Sequence, residues 1–285
     1  MAEKTLEEKK LLNEPITLML LGGALRFPAY IGAFAAIEEK GLKIDKIIGA
    51  SAGSIIGSIY ASGKSPLEMK KIMMELDTTI FKDFSIKSLL RGKGLYEGKV
   101  FEKWVDGMLK GLKFEDKLRF PLYIAAFDIL NNTPVIFSRS SFPEMKISAA
   151  IRFSIGIPWV FAYKYFTHTK KRHVFVDGNL MSGLVEDMFE KDNRMLVLRI
   201  HSKKSAAPPT HENFTLRKYL QELLLIMMHA VESERVKADR WKDTILIFCG
   251  DIPPTKFGIS SEEKHYLFDQ GYIQVKKFLE YKWGI

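Results

Sequence analysis

The strongest constraint in this chain is the run Lys46-Ile47-Ile48-Gly49-Ala50-Ser51-Ala52-Gly53, an apolar strand that ends in four small residues around one serine. Small and apolar residues continue at helical spacing from Ala52 to Tyr60 and stop at Gly63, so Ser51 stands at a strand-to-helix turn. Such a turn folds the helix back onto the strand it has just left, and residues as small as Gly49, Ala50, Ala52 and Gly53 leave room for that approach. The same geometry exposes the serine hydroxyl and sets the N–H groups of the first helical turn, that of Ala52 among them, beside any anion formed there.

A second unit of this kind lies upstream. Ile16-Thr17-Leu18-Met19-Leu20-Leu21 predicts a short buried strand, followed by Gly22-Gly23 and a helix from about Ala29 to Lys40 that stops at Gly41. Strand-helix-strand-helix with continuously apolar strands predicts a parallel sheet covered on both faces. Gly22-Gly23-Ala24-Leu25-Arg26 then falls at the carboxyl end of the first strand, where an open α/β sheet gathers its ligands. The backbone N–H groups of this loop are candidate oxyanion donors, with Arg26 placed to support the loop or to meet a lipid phosphate. A phosphate-binding loop is disfavoured, because neither G-x-G-x-x-G nor a Lys-Ser/Thr ending is present.

Downstream, the pattern is helical from Pro66 to about Leu112, with Gly-rich breaks at 91–94 and 96–98. Strands are expected at 121–128 and 134–137, a helix from about Glu144 to Phe153, and a β-rich run at 173–176 that delivers Asp177-Gly178. A strand at 195–200, a loop at 205–209, a long helix from about 215 to 237, a strand at Cys249 and a last helix from about 261 to 281 complete the series. With 285 residues and 47% hydrophobic content, one sizeable core needs no covalent staples. The expected division is a charged extension at 1–14 and a single domain at 15–285. Within that domain, 15–204 form the core with a helical insertion at about 66–112, and 205–285 complete it. Cys249, the single cysteine, is expected to be a buried, inert thiol.

A nucleophilic serine needs a base. Asp177 ends a strand, and Gly178 lets the backbone turn at once. His201 follows another strand and would give the order Ser, Asp, His, although the polar run Ser202-Lys203-Lys204-Ser205 after it is typical of a surface. Both stand as candidates from the residues alone. A carboxylate of ordinary pKa is a weak base for serine, so Asp177 requires apolar surroundings, which Phe175 and the 155–160 stretch would supply.

The formal charge of +9 is dispersed among acids rather than gathered in a block. It suits contact with an anionic membrane surface. Nucleic acid is not an expected partner, since zinc-ligand spacing, an RNA-recognition signature and a helix-turn-helix pattern are all absent from the sequence. No EF-hand or other metal-binding sequence appears, and neither metal nor cofactor is expected. The charged N-terminus and the lack of long apolar stretches predict a soluble, cytoplasmic protein, peripheral to a membrane at most. Thr79 to Arg91 is an amphipathic candidate for a lid or membrane contact, to be weighed against an ordinary helix packed on the core.

Taken together, Gly22-Gly23-Ala24-Leu25-Arg26-Phe27, Gly49 to Gly53 and Asp177-Gly178-Asn179 give the chain the pattern it shares with the patatin-like phospholipases. It resembles them from about Ile16 to Tyr281. That family carries G-G-G-x-[KR]-G, G-x-S-x-G and D-G-[AG] in this order. The stretches 31–42 and 149–158 are similar to those after the family's oxyanion loop and before its aspartate. The resemblance implies a three-layer α/β/α fold with a mainly parallel central sheet, and a dyad of Ser51 and Asp177 without histidine. It further implies an oxyanion hole from Gly22, Gly23, Ala24, Leu25 and Ala52, with Arg26, Gly49, Gly53 and Gly178 in support, and phospholipids or related acyl lipids as substrates. Ala24, Phe27 and Asn179 depart from the family pattern, and the first two would stiffen the loop. A lipid-binding protein without turnover and a Ser-His-Asp esterase are the alternative readings.

Overall fold

The computed structural model describes residues 13–189, 194–201, 241–254 and 256–285, together with 215, 218–220, 222–223 and 226–227. Residues 1–12 of the charged extension, the loop expected at 205–209 and most of the helix expected at 215–237 lie outside the described residues.

Strand β1 (Ile16–Leu21) is buried along its whole length, so both its faces need cover. Its side chains alternate accordingly: Leu18 and Leu20 enter the larger core, Met19 and Leu21 a smaller cluster on the opposite face. The strands that follow are β2 (Ile44–Ala50), β3 (Leu122–Asp128), β4 (Thr133–Phe137), β5 (Tyr165–His168), β6 (Lys171–Asp177), β7 (Met195–His201) and β8 (Thr244–Phe248). They form one sheet in the order β5-β6-β3-β2-β1-β7-β8, with β4 also on β3. The pairs from β3 through β2, β1 and β7 to β8 are parallel, whereas β4, β5 and β6 join antiparallel at one flank.

Helices α1 (Pro28–Lys40), α2 (Ala52–Ala61), α6 (Ile147–Ser154) and α8 (Ser261–Trp283) contribute to the larger core. Between α2 and α6 lie the short helices of the insertion, α3 (Pro66–Glu75), α4 (Ile86–Leu90) and α5 (Lys99–Met108). On the other face, Val185 of α7 (Ser182–Met188) and Phe189 cover the smaller cluster, completing three layers. Contact between α1 and α8 is very close: a Cβ added at Gly32 would lie 1.9 Å from the Phe268 carbonyl oxygen, and one at Gly271 1.8 Å from that of Ala29.

The flank at β3 explains how distant parts of the chain meet. Ala125 of β3 pairs with Ala50 of β2 on one side and with Ile136 of β4 on the other. One residue later β2 has ended, and Ala126 pairs with Asp177 of β6 while still pairing with Val135 of β4. Strands β2 and β6 therefore share a single edge of β3 and run toward each other along it, so their carboxyl ends meet head-on. At the outer end of this edge, the buried Asp128 carboxylate lies 2.7 Å from His173 Nδ1 and holds β6 in place.

Several boundaries differ from the sequence expectation: the strand expected at Cys249 ends one residue earlier at Phe248, and two further differences bear on the site. The helix expected from Glu144 starts at Ile147, because Phe142 and Met145 N–H groups are taken up in a preceding turn on Ser138 and Phe142. The run expected at 173–176 is longer, Lys171–Asp177, and is one arm of a hairpin with β5 that the sequence reading did not foresee.

Candidate active site

Ser51 adopts φ 54° and ψ −129°, a conformation that a residue with a side chain holds only under strain. The strain is sustained by contact on every side. A Cβ on Gly53 would lie 2.2 Å from the Leu20 carbonyl oxygen, and one on Gly49 2.6 Å from Ser54 Cα, so α2 leaves β2 with backbone against backbone. The Ser51 carbonyl accepts from Ser54 N–H at 2.9 Å and from Ser54 Oγ at 2.6 Å. Its N–H donates to Ser154 Oγ at 2.9 Å, and Ser154 in turn donates to the Ala125 carbonyl at 2.6 Å. Ser154 thus bridges the strand-to-helix turn at Ser51, the elbow, to β3 beside the point where β2 gives way to β6. Its part had no sequence signal beyond its place in the 149–158 stretch.

From the other strand comes the carboxylate. Ser51 Oγ donates to Asp177 Oδ2 at 2.6 Å, and Asn179 N–H donates to Asp177 Oδ1 at 2.8 Å. Gly178 is required at this junction, since a Cβ there would stand 2.1 Å from the Ala125 carbonyl oxygen. Both Ser51 and Asp177 are buried. Burial pushes the Asp177 carboxyl up to about 6, and the hydrogen bonds from Ser51 and Asn179 hold it from rising further. Phe175, two residues earlier on β6 and therefore on the same face, packs among Phe137, Phe153 and Phe166.

The loop after β1 turns through Gly22 at φ 69°, Gly23 at φ 104° and Ala24 at φ 47°. Ala24 thus takes a left-handed conformation that glycine adopts freely, at a cost of about 1 kcal/mol. Leu25 N–H is directed to the Pro254 carbonyl at 3.4 Å and Arg26 N–H to that of Gly23 at 3.0 Å. Leu25 and Arg26 N–H groups are thus engaged within the protein, and Gly22, Gly23 and Ala24 remain as the loop's candidate donors. On the Ser51 side, Ala52 adds the N–H of the first residue of α2, which precedes every intrahelical acceptor. Arg26 is fully buried and its Nε donates to the Gly23 carbonyl at 3.2 Å, so it braces the loop; the expectation that it meets a lipid phosphate is corrected by that burial. Tyr30, absent from the sequence reading, donates its hydroxyl to the Leu21 and Gly22 carbonyls at 2.7 and 3.1 Å. Asn179 lies flat on Gly22, with Nδ2 2.6 Å from where a Cβ would be.

Above Ser51 opens a cavity of about 420 Å³. Its floor is Ala24, Ser51, Ala52 and Ile55; Ile155, Ile157 and Val160 form one wall and Phe81, Leu95, Tyr96 and Phe101 of the insertion another, with Pro254 and Phe257 closing the side. The lining is mostly apolar, with Lys82 and Glu222 as its charged members, which suits a hydrocarbon chain joined to a polar group. The insertion wall hangs on a backbone ladder, Leu95 N–H to Trp159 O at 2.9 Å, Tyr96 N–H to Val160 O at 2.9 Å and Ala162 N–H to Tyr96 O at 2.7 Å. Arg152, buried beneath it, donates to the Glu97 and Ala162 carbonyls at 2.8 and 2.7 Å and so ties the two sides together.

His201 is not brought to Ser51. It ends β7, separated from β2 by β1, roughly 10 Å away at ordinary strand spacing, and its ring packs on Phe248. Among the described residues no three His, Cys, Asp or Glu side chains converge as a metal site would require. Cys249 is buried, next to the end of β8.

With this geometry in hand, the relatives are informative. A family model described as patatin-like phospholipase matches residues 18–189. The protein YqhO of Bacillus subtilis (strain 168) is 28% identical over 280 residues, covering 91% of this chain and 96% of its own. The probable lipid hydrolase 463L of Invertebrate iridescent virus 6 is 25% identical over 204 residues, 66% of this chain and 65% of that one. Among solved structures, VipD from Legionella pneumophila superposes with a TM-score of 0.60 at 17% identity, over 94% of this chain and 67% of that one, which shows a shared fold.

Proposed function

Because this chain belongs to the patatin-like phospholipase family, we propose that it is a lipid acyl hydrolase in which Ser51 is the nucleophile and Asp177 the general base. The observation that carries this reading is the 2.6 Å hydrogen bond from Ser51 Oγ to a buried carboxylate on the floor of an apolar cavity. Ionised Asp177 accepts the hydroxyl proton as Oγ attacks the ester carbonyl carbon. The carbonyl oxygen becomes an oxyanion that accepts hydrogen bonds from Gly23, Ala24 and Ala52 N–H groups. Collapse of this intermediate expels the alcohol, which takes the proton from Asp177, and leaves the acyl chain on Ser51 in the cavity. Water then attacks the acyl-enzyme, Asp177 taking its proton and returning it to Ser51 Oγ, and the fatty acid departs.

A carboxylate near its ordinary pKa would serve this cycle poorly. With its carboxyl raised to about 6, Asp177 is a stronger base and still ionised at neutral pH. Strain at Ser51 contributes as well, because it aims Oγ at the cavity without a search through rotamers.

A fluorophosphonate probe tests the nucleophile: the native chain is labelled, Ser51→Ala is not, and failure of the native chain to react would leave only lipid binding. Fatty-acid release from a panel of phospholipids, lysophospholipids and glycerides, with products identified by mass, defines the substrate. In that assay His201→Gln retains turnover within about twofold; its loss would restore the histidine-dependent reading.

A further inference from the structure

Helix α4 is built inside out. Its one buried residue is Ser88, whose hydroxyl reaches Glu97, whereas Ile86 is 64% and Leu90 83% exposed and Leu89 also faces solvent. A helix packed on a core presents the reverse pattern. Its apolar side chains are joined by neighbours on a continuous backbone. Ser85 N–H bonds to the Leu95 carbonyl at 3.1 Å and Leu95 N–H to that of Trp159 at 2.9 Å, which sets exposed Phe84 and Trp159 on either side of Leu95. The same segment reaches the site, because Phe81, Lys82, Leu95 and Tyr96 line the cavity over Ser51.

Charge says what would cover this face. Between residues 80 and 91 stand Lys82, Lys87 and Arg91 against the single acid Asp83. That acid is turned inward: its carboxylate accepts from Gly98, Lys99 and Val100 N–H groups at 2.8, 2.7 and 3.2 Å and caps α5. The outward surface is thus apolar with a basic rim.

We propose that the segment from Phe84 to Arg91 docks the protein on an anionic lipid bilayer, with Ile86, Leu89 and Leu90 below the headgroups and Lys87 and Arg91 at the phosphates. Docking brings the mouth of the cavity against the membrane, so an acyl chain passes from bilayer to cavity along Phe81 and Tyr96 without crossing water. The purpose assigned to the contact rests on the hydrolase reading; the contact itself is measured without catalysis.

The test uses the full chain carrying Ser51→Ala, floated with vesicles of phosphatidylcholine alone or mixed with phosphatidylglycerol. Lys87→Gln with Arg91→Gln lowers partitioning onto the mixed vesicles roughly 25-fold, about fivefold per charge, and added salt weakens the unmodified surface in the same way. Ile86→Ser with Leu90→Ser lowers binding to both vesicle types by more than about tenfold. With Ser51 restored, both double variants hydrolyse a soluble short-chain ester within twofold of the native rate and keep its melting temperature. Native-like vesicle binding by the double variants overturns the proposal, as does failure of the unmodified surface to bind anionic vesicles. It is also overturned if the serine substitutions only dissociate a dimer while vesicle binding persists. Should no form hydrolyse the ester while vesicle binding follows this pattern, the docking face stands and the hydrolase reading falls.

Discussion

Ser51 and Asp177 stand where the paired strands β2 and β6 end on β3, and the side chains that matter are clamped by hydrogen bonds of 2.6 to 2.9 Å. Across the cavity, the wall from Phe81 to Tyr96 consists of a five-residue helix, turns and a short ladder, and it leaves large apolar side chains in solvent. One side has no freedom to shift, since added atoms would meet backbone within 2.2 Å at Gly53 and 2.1 Å at Gly178. The other can be altered by changing a side chain. On the proposed function, substitutions beside Ser51 should therefore change rate for every substrate, and those in the opposite wall should change which substrates are preferred.

The largest effect expected on the rigid side is that of Asp177→Asn, which should lower kcat by about 10³–10⁴-fold for short and long acyl esters alike. The same substitution should stabilise the protein. The Asp177 carboxyl is raised from 3.8 to about 6, so the protonated form is favoured in the fold; that contribution is complete below pH 4 and is lost as pH rises through 6. Above pH 7 the buried charge costs on the order of 3 kcal/mol. Asp177→Asn should accordingly melt at the native temperature near pH 4 and progressively above it between pH 4 and about 6, with the gap level beyond pH 7, as calorimetry across that range would reveal. In the native chain kcat/KM should rise through about pH 6 as the base ionises.

A smaller effect is expected where the elbow meets β3. Ser154→Ala deprives Ser51 N–H and the Ala125 carbonyl of their shared partner, and kcat should fall about 10- to 100-fold with KM little changed. An unaltered kcat would mean that the elbow holds its conformation without the bridge. The smallest effect belongs to the adjustable wall: Arg152→Met frees the Glu97 and Ala162 carbonyls, and KM for long-chain esters should rise about three- to tenfold while short-chain esters are turned over as before. A uniform loss for both chain lengths would erase the distinction between the two sides.

Much of the rigid side was legible in the sequence. The apolar runs of β1 and β2, the small residues around Ser51 and the Asp-Gly pair at the end of β6 each report a local demand that side-chain size satisfies. Ser154 was not legible as a bridge, because its role exists only where β2 and β6 share an edge, a relation among four separate segments. The β5–β6 hairpin escaped notice because its turn, Thr169-Lys170, takes left-handed conformations at φ 47° and 64° with residues that do not advertise them. For helix α4 periodicity left both alternatives open, since it cannot say which side faces the core; the structure buries Ser88 and leaves Ile86, Leu89 and Leu90 outward.

The meeting of β2 and β6 on one edge of β3 also bears on descent. Ser51 and Asp177 are 126 positions apart, yet their separation is set by the step from Ala125 to Ala126. Stretches such as 62–121 can lengthen, shorten or be exchanged in a lineage without moving one group relative to the other. A single residue gained or lost inside β3 would instead turn the carboxylate to the far face. Inheritance in such a chain is therefore conservative over a few positions and permissive over long ones, and new cavity linings can arise in the permissive stretches while the pairing of Ser51 with Asp177 is handed down unchanged.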